Sequence, residues 1–421
     1  MDRTVSELGK EMKKLLQINP VIRINTSTGR IMQEIGELAR TQGWETYIAY
    51  SKGRDGVKPN DAKLIPVGNK WSVAWHGGMT RLFDRHGLAS GNATRAFIEE
   101  IKQIQPDIIH IHNIHGYFLN YQILFDYLAK ANIPVIWTVH DCWLYTGHCY
   151  HYSYKQCYKW KGQCEACPQR KDFPASWWLD RSKQNFLDKK KAFTSISKGL
   201  LTFITVSGWM KNEMKQSFLK DYSFQVIHNG INLDNFRIYP TEEVKKKYGL
   251  EGKRIILGVA SIWMEEKGWN DFMQLAELLN PEEVIVLVGV KEEQKKGLPL
   301  NILPISRTEN LKQLAELYAA AEAFVNPTWQ DNYPTVNLEA IACGTPVVTY
   351  RTGGSIEVIT PDTGFIVEQG DRYGLMEAVR KIEKLGKDYY QPRCRSYAEA
   401  HFRKEDRYAD YLRLYEALLR K

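Results

Sequence analysis

The stretch AFVNPTWQDNYPTVNLEAIA, residues 323–342, reads as a short buried strand (Ala323–Val325), a polar loop and a helix opening at Thr335. A helix start placed straight after a strand end turns its unbonded N–H groups outward and makes an anion site. Asp331 and Glu339, eight residues apart, bracket that site. Glu339, one turn into the helix, can accept hydrogen bonds from ribose hydroxyls, and Asp331 on the loop can take those of a sugar. A capped helix with an exposed carboxylate accounts for either acid alone, not for the whole constellation.

Outward from this stretch the same rhythm recurs. Apolar runs alternate with amphipathic segments, the pattern of βαβ units and a parallel sheet. In the second half the spacing predicts strands at Arg254–Val259, Val284–Val290, Pro346–Tyr350 and Gly364–Val367, with helices at Trp269–Leu279 and Leu311–Ala321. Residues 373–386 and 405–420 have the apolar spacing of amphipathic helices. The first half predicts strands at Leu15–Asn19, Glu45–Tyr50, Asp107–His112, Ile133–Val139 and Leu201–Val206, with helices at Thr28–Thr41 and near Tyr121–Ala131. The expectation is α/β: two doubly wound Rossmann-like domains facing across a cleft, where ligands bind at the strand ends. The boundary is expected in the polar stretch Ile231–Thr241, giving a domain over 1–235, a second over 236–400, and a C-terminal helix over 401–421 packing back on the first.

A chain of 421 residues with 43% hydrophobic and 25% charged positions suits two cores and is neither disordered nor fibrous. No apolar run approaches the roughly 20 residues that span a bilayer. Charges occupy the N-terminal positions where a signal peptide needs its apolar stretch, so a cytoplasmic protein is expected. Of the net charge of +8, all the excess lies in residues 1–238, with 32 Lys and Arg against 21 Asp and Glu; the remainder holds 25 against 28. Either the first half meets something anionic, or runs such as Lys189-Lys190-Lys191 are simply solvated surface.

Two further loops fit a phosphate. Asn25-Thr26-Ser27-Thr28-Gly29-Arg30 leads from the first strand straight into a helix, and Ser261 and Lys267-Gly268 lie between a strand end and the next helix. Five of the seven cysteines fall between 142 and 167. Cys149, Cys157, Cys164 and Cys167 end in a C-x2-C pair, which in a reducing compartment reads as a structural zinc site, with His148 and His151 as substitutes for a cysteine; an iron–sulfur cluster or free thiols are the alternatives.

Taken in chain order, Ser27-Thr28-Gly29, Arg81-Leu82-Phe83-Asp84-Arg85-His86-Gly87, His110-Ile111-His112-Asn113-Ile114-His115-Gly116-Tyr117, Thr138-Val139-His140-Asp141-Cys142-Trp143, His228-Asn229-Gly230-Ile231, Lys267-Gly268, Asp331-Asn332-Tyr333-Pro334-Thr335, Glu339 and Gly344-Thr345-Pro346 are what family-4 retaining glycosyltransferases of the GT-B type carry. The chain resembles that family over nearly its whole length, and in particular the bacterial branch assigned to colanic-acid and capsular polysaccharide assembly. The resemblance implies a nucleotide-diphosphate sugar bound by the second domain, with contributions from Gly29, Asn229, Ser261, Lys267, Asn332, Tyr333, Pro334, Thr335 and Glu339. It implies a glycan or lipid-pyrophosphate-linked acceptor bound by the first domain through Arg81, Asp84, Arg85, His86, His112, His115 and Asp141. Lys267 would hold the diphosphate, Asp331 the donor sugar, and His140 would lie over the anomeric carbon. The leaving diphosphate would take the acceptor proton, so no cofactor is required for chemistry. In two places the sequence departs from the family pattern. Asp331 stands where the family has Glu, and Ile262 stands five residues before Lys267, where the family has Arg; Arg307 is expected to supply the second cation.

A lipid-linked acceptor implies peripheral contact with the anionic inner membrane face. A zinc-containing nucleic-acid binder would explain the basic half and the cysteines but not the two matched α/β repeats, so no nucleic-acid partner is expected. A non-catalytic sugar-nucleotide-binding protein would share the donor loops; an epimerase would need a dinucleotide G-x-G-x-x-G after its first strand, which is missing.

Overall fold

Burial on both faces is why the strands of this chain read as continuous apolar runs: β-strands such as RIILGV and EVIVLV have helices on either side. The computed structural model describes residues 12–23, 26–53 and 62–420. The charged N-terminal residues through Glu11, and Asn25 of the first expected phosphate loop, lie outside them.

The chain forms two units. One runs through Val206, resumes over Lys211–Ile227 and is completed from Tyr408 onward; the other holds Ser207–Met210 and His228–Arg407. The expected boundary at 235 therefore lies inside the second unit, because the His228–Ile231 loop is held there: the N–H of Ile231 donates to the Phe402 carbonyl at 2.9 Å.

In chain order the first unit contains β1 (Lys14–Ile18), α1 (Ser27–Thr41), β2 (Glu45–Tyr50), β3 (Lys63–Pro66), α2 (Lys70–Phe83), α3 (Gly91–Ile104), β4 (Ile108–Ile111), α4 (Tyr121–Ala131), β5 (Val135–Val139), α5 (Ser182–Phe193) and β6 (Leu201–Thr205). Helix α6 (Gly208–Met214) leads to β7 (Ser223–Val226). The second unit follows with α7 (Glu242–Tyr248), β8 (Arg254–Val259), α8 (Trp269–Ala276), β9 (Glu283–Val288), β10 (Ile302–Ile305), α9 (Leu311–Ala320), β11 (Ala323–Asn326), α10 (Thr335–Ala342), β12 (Val347–Tyr350), β13 (Gly364–Val367), α11 (Arg372–Leu385) and α12 (Lys387–His401). Helix α13 (Lys404–Leu419) returns the chain to the first unit.

Both sheets are parallel, ordered β3-β2-β1-β4-β5-β6-β7 and β10-β9-β8-β11-β12-β13. Strand order reverses between β1 and β4 in one and between β8 and β11 in the other. Loops leaving the strand tips at such a reversal part in opposite directions and open a ligand crevice. Helix starts are set by short polar residues: Asn120 caps α4, Asn310 caps α9 and Asp371 caps α11 through side-chain acceptors. The face of α13 that carries Tyr408, Tyr411, Leu412 and Tyr415 is buried with Leu15, Ile35, Trp44, Ile108, Ile136 and Ile204, so the first unit's core needs a helix more than 180 residues downstream of the rest.

The expected interior strands are present, with ends differing by a residue or two. Edge strands β3, β7 and β10 carried no signal, being four residues long and partly exposed, with Pro66 and Pro304 on two of them.

Candidate active site

In the second unit the loops after β8 and β11, at the strand-order reversal, are fastened to each other. The Trp329 N–H donates to the Glu266 carbonyl at 2.8 Å, and Thr328 Oγ1 donates to the same oxygen at 3.2 Å. Lys267 ends a one-turn 3-10 helix and is followed by Gly268 at φ +83°, where a Cβ would stand 2.5 Å from the Pro327 carbonyl oxygen. Only glycine permits that approach. It aims Lys267 at the β11 loop, where Nζ meets Asp331 Oδ2 at 2.7 Å. Asp331 Oδ1 accepts the Tyr333 N–H at 3.2 Å. Gly353, at φ +49°, presses against the Asp331 carbonyl from the other side, where a Cβ would lie 1.9 Å away.

Behind this pair, α10 starts at Thr335 after Pro334, with no side chain capping its first turn. Glu339 is buried and accepts the Tyr318 hydroxyl at 3.2 Å. Asn337 anchors the helix, accepting from Asn326 at 2.8 Å and donating to the Ser355 carbonyl at 3.1 Å. Asn332 and Asn229 are buried, whereas Ser261 is exposed. Arg307 is exposed in the loop after β10, two strands removed from β8 and at the sheet edge.

His228 belongs to a motif the sequence reading quoted without giving it a role, and its partner Glu357 escaped that reading. The His228 ring stacks on Tyr333 at 4.8 Å and 5°, and its Nε2 lies 3.2 Å from Glu357 Oε2. Glu357 also accepts the N–H groups of Gly208 at 3.0 Å and Trp209 at 2.7 Å. Burial opposes its charge, but these bonds prevail and hold its carboxyl below the usual value of 4.5. No local motif marks a glutamate whose partners are about 150 residues upstream. A depressed folded pKa gives stability that is present above the unfolded value and lost as pH falls through the folded one. Glu357→Gln should therefore cost about 1–3 kcal/mol at neutral pH and little near pH 3, read by urea unfolding at both; an equal loss at both would contradict the assignment.

In the first unit, imidazoles crowd the tips of β4 and β5. His110 Nδ1 meets the Tyr415 hydroxyl and its Nε2 the Thr138 hydroxyl, each at 2.7 Å. The His112 ring stacks on His140 at 5.6 Å, with Nδ1 to Nε2 of 3.3 Å and its own Nε2 3.2 Å from Gln17 Oε1. His115 Nε2 bonds Asp141 Oδ2 at 2.8 Å, and Asp141 Oδ1 accepts the Trp143 N–H at 2.9 Å. His86 is packed among Tyr117, Trp143, His115 and Phe173, with neither ring nitrogen hydrogen-bonded. Arg81 is exposed above the Tyr117 ring, and Arg85 is half-buried beside it in sequence. Asp84 is buried: Oδ1 takes His148 Nδ1 at 2.8 Å and Oδ2 the Arg181 N–H at 2.7 Å, so its carboxylate serves the protein itself. Thr26 and Gly29 stand at the start of α1 after β1, where the Thr26 side chain caps no amide of the helix.

Burial holds His76 and His110 at about 3 and His140 at about 4, and His86 and His112 well below their ordinary value of 6.5. The unfolded chain therefore binds more protons below 6.5, and stability must fall as pH drops from there. Each such ring would cost at most about 2 kcal/mol between pH 6.5 and 5. The urea midpoint of the first unit is expected to fall steeply over that interval; a flat profile would contradict neutral burial.

The cysteines are all free thiols, and Cys149, Cys157, Cys164 and Cys167 line one cavity. Among the described residues, no three His, Cys, Asp or Glu side chains are placed to hold a metal ion as they stand. Lys189 fits neither an anionic partner nor a solvated surface, the two readings open for its run, because it is buried; α5 turns it inward, where Nζ donates to the Trp143 carbonyl at 2.6 Å and the Thr146 carbonyl at 3.0 Å.

The sequence model of Glycosyltransferase Family 4 matches residues 28–235, and that of Glycosyl transferases group 1 matches residues 240–401. The chain belongs to the glycosyltransferases these models describe, with the GT-B type of fold. It is 22% identical to WcaC, a glycosyl transferase assigned to colanic acid biosynthesis in Escherichia coli K12, over 86% of this chain and 89% of that protein. It is 31% identical to an N,N'-diacetylbacillosaminyl-diphospho-undecaprenol alpha-1,3-N-acetylgalactosaminyltransferase of Campylobacter jejuni, over 38% of this chain and 44% of the other. Among solved structures, sucrose-phosphate synthase of Thermosynechococcus elongatus superposes with a TM-score of 0.70 at 17% identity, covering 96% and 99% of the two chains. HepE of Anabaena, in complex with UDP, superposes at 0.68 and 14% identity, covering 96% and 100%.

Proposed function

We propose that this glycosyltransferase moves a sugar, with retention at the anomeric carbon, from a nucleotide-diphosphate donor to a glycan or lipid-linked oligosaccharide in bacterial surface polysaccharide biosynthesis. The observation that carries the proposal is the Asp331 carboxylate, bridging the Lys267 ammonium and the Tyr333 N–H at the uncapped start of α10. An internal anion there marks a cradle suited to a diphosphate, and Glu339 behind it suits a ribose. The likeness to WcaC and to the Campylobacter transferase supports a polysaccharide or lipid-linked acceptor.

Breaking a glycosyl–phosphate bond loads negative charge onto the departing diphosphate. A fixed cation and oriented N–H groups aimed at it lower the barrier most where the charge is greatest. The departing phosphate is itself basic enough to take the acceptor hydroxyl proton as the new bond forms on the same face. On this reading His140 is neutral at physiological pH and is held in orientation by His112, which Gln17 holds in turn.

A panel of UDP- and GDP-sugars, scored for thermal stabilisation and for hydrolysis, tests the reading. One donor class should raise the melting temperature and be turned over slowly without acceptor, whereas no response to any would overturn it.

Membrane contact through the first unit follows from the same acceptor. Trp71 and Trp75, one turn apart on α2, are 74% and 66% exposed, and Trp178 is 73% exposed. The neighbouring Trp177 N–H donates to the Arg81 carbonyl on α2 at 2.8 Å, which fastens the two aromatic segments together. Amphipathic indoles beside cations suit a headgroup layer. The protein should sediment with anionic liposomes at low salt, and Trp71→Ser with Trp75→Ser should weaken that several-fold; equal sedimentation with neutral liposomes would refute the charge component.

A further inference from the structure

His148 has one nitrogen spent and one idle. Its Nδ1 hydrogen-bonds the buried Asp84 carboxylate, and its Nε2 is buried with no hydrogen-bond partner. The residue is 3% exposed and lines the cavity formed with Cys149, Cys157, Cys164 and Cys167, of about 10 Å³, room for one small body. A carboxylate on one imidazole nitrogen, orienting the other toward an electrophile, is the arrangement found behind metal-bound histidines. The four thiols of Cys149, Cys157, Cys164 and Cys167 line the same space, and the Gly147 N–H donates to Cys164 Sγ at 3.2 Å. Lys189 Nζ is buried beside this loop with no carboxylate in ion-pair reach among the described residues. One divalent ion with three thiolates carries a net charge of about −1, which a buried ammonium offsets.

The geometry points to a structural zinc-class site in which His148 Nε2 and three of the four cavity sulfurs, those of Cys149, Cys157, Cys164 and Cys167, are the ligands and Asp84 orients the histidine. Binding releases the three thiol protons to solvent and requires the side chains to rotate inward, since they are not converged as they stand. Soft sulfur with imidazole selects zinc over the hard cations. Such an ion would fix the 142–170 segment immediately after His140 and Asp141, and no chemical step passes through it.

The full chain, grown with zinc and purified anaerobically without a chelating tag, should hold about one zinc by mass spectrometry, released on treatment with a mercurial thiol reagent. Cobalt-grown protein should show thiolate-to-cobalt charge transfer and the intense visible bands of tetrahedral coordination. His148→Gln should retain less than about a tenth of the wild-type metal, as should three of the four serine variants at Cys149, Cys157, Cys164 and Cys167, the fourth retaining it fully. Should these variants fail to fold, the wild-type thiols decide: three must be protected from a disulfide reagent until a chelator is added. Metal-free wild-type protein, an iron cluster, equal reactivity of all thiols with and without chelator, full metal in His148→Gln, or loss of metal in all four serine variants would overturn the assignment.

Discussion

Replacing Lys267 by alanine is expected to lower glycosyl transfer at least tenfold, about 1.4 kcal/mol of barrier. Two effects act in the same direction. The substitution removes the ammonium proposed to neutralise the departing diphosphate, and it strips Asp331 of its partner at 2.7 Å. The carboxylate then keeps only the Tyr333 N–H and stands as an unbalanced negative charge beside a leaving anion. Because the lost interaction strengthens as charge develops, kcat should fall more than the donor KM rises. Lys267→Arg keeps the charge but cannot reproduce a point cation at this reach, so partial recovery is expected. The measurement is steady-state transfer with the donor identified by the panel; unchanged turnover would sink the assignment of Lys267.

Tyr415→Ala should be the most damaging substitution for stability, at about 3–5 kcal/mol. The side chain is fully buried, its ring meets Trp44 edge-on at 5.7 Å, and its hydroxyl holds His110 Nδ1 at 2.7 Å. Alanine would leave a cavity in the core and a buried imidazole nitrogen with nothing to bond. Tyr415→Phe separates the two losses: it keeps the ring and should cost only about 1–3 kcal/mol for the unsatisfied nitrogen. Both are read from the urea midpoint of the first unit's transition. If alanine and phenylalanine cost the same, the packing argument fails.

What the amino-acid order disclosed follows physical lines. Interior parallel strands such as Glu45–Tyr50 and Arg254–Val259 are legible because burial on both faces leaves only apolar runs. The β11–α10 loop is legible because strand, polar loop and helix start are contiguous, and its Lys267–Asp331 pair joins two motifs already conspicuous. Edge strands are illegible because half-exposure lets almost any residue serve there. The Asp84–His148 pair was missed although both residues were noticed, since 64 positions separate them and only the fold brings them together. Lys189 misled because composition cannot tell which lysine of three on one helix turns inward, and here a single helical face decides it. Glu357 left no trace at all, as its partners, two backbone amides and the His228 ring, all lie well over a hundred residues upstream.

The route of α13 also bears on synthesis. While the polypeptide leaves the ribosome, the strands around Leu15 and Ile108 appear early, yet Tyr408, Tyr411 and Tyr415, which close over them, emerge last. The segment from His228 to Arg407 meanwhile contains every strand of its own sheet and can mature first. Nascent chains stalled before residue 408 should thus carry a protease-resistant second half and a cleavable first half, a reversal of the usual order in which domains ripen.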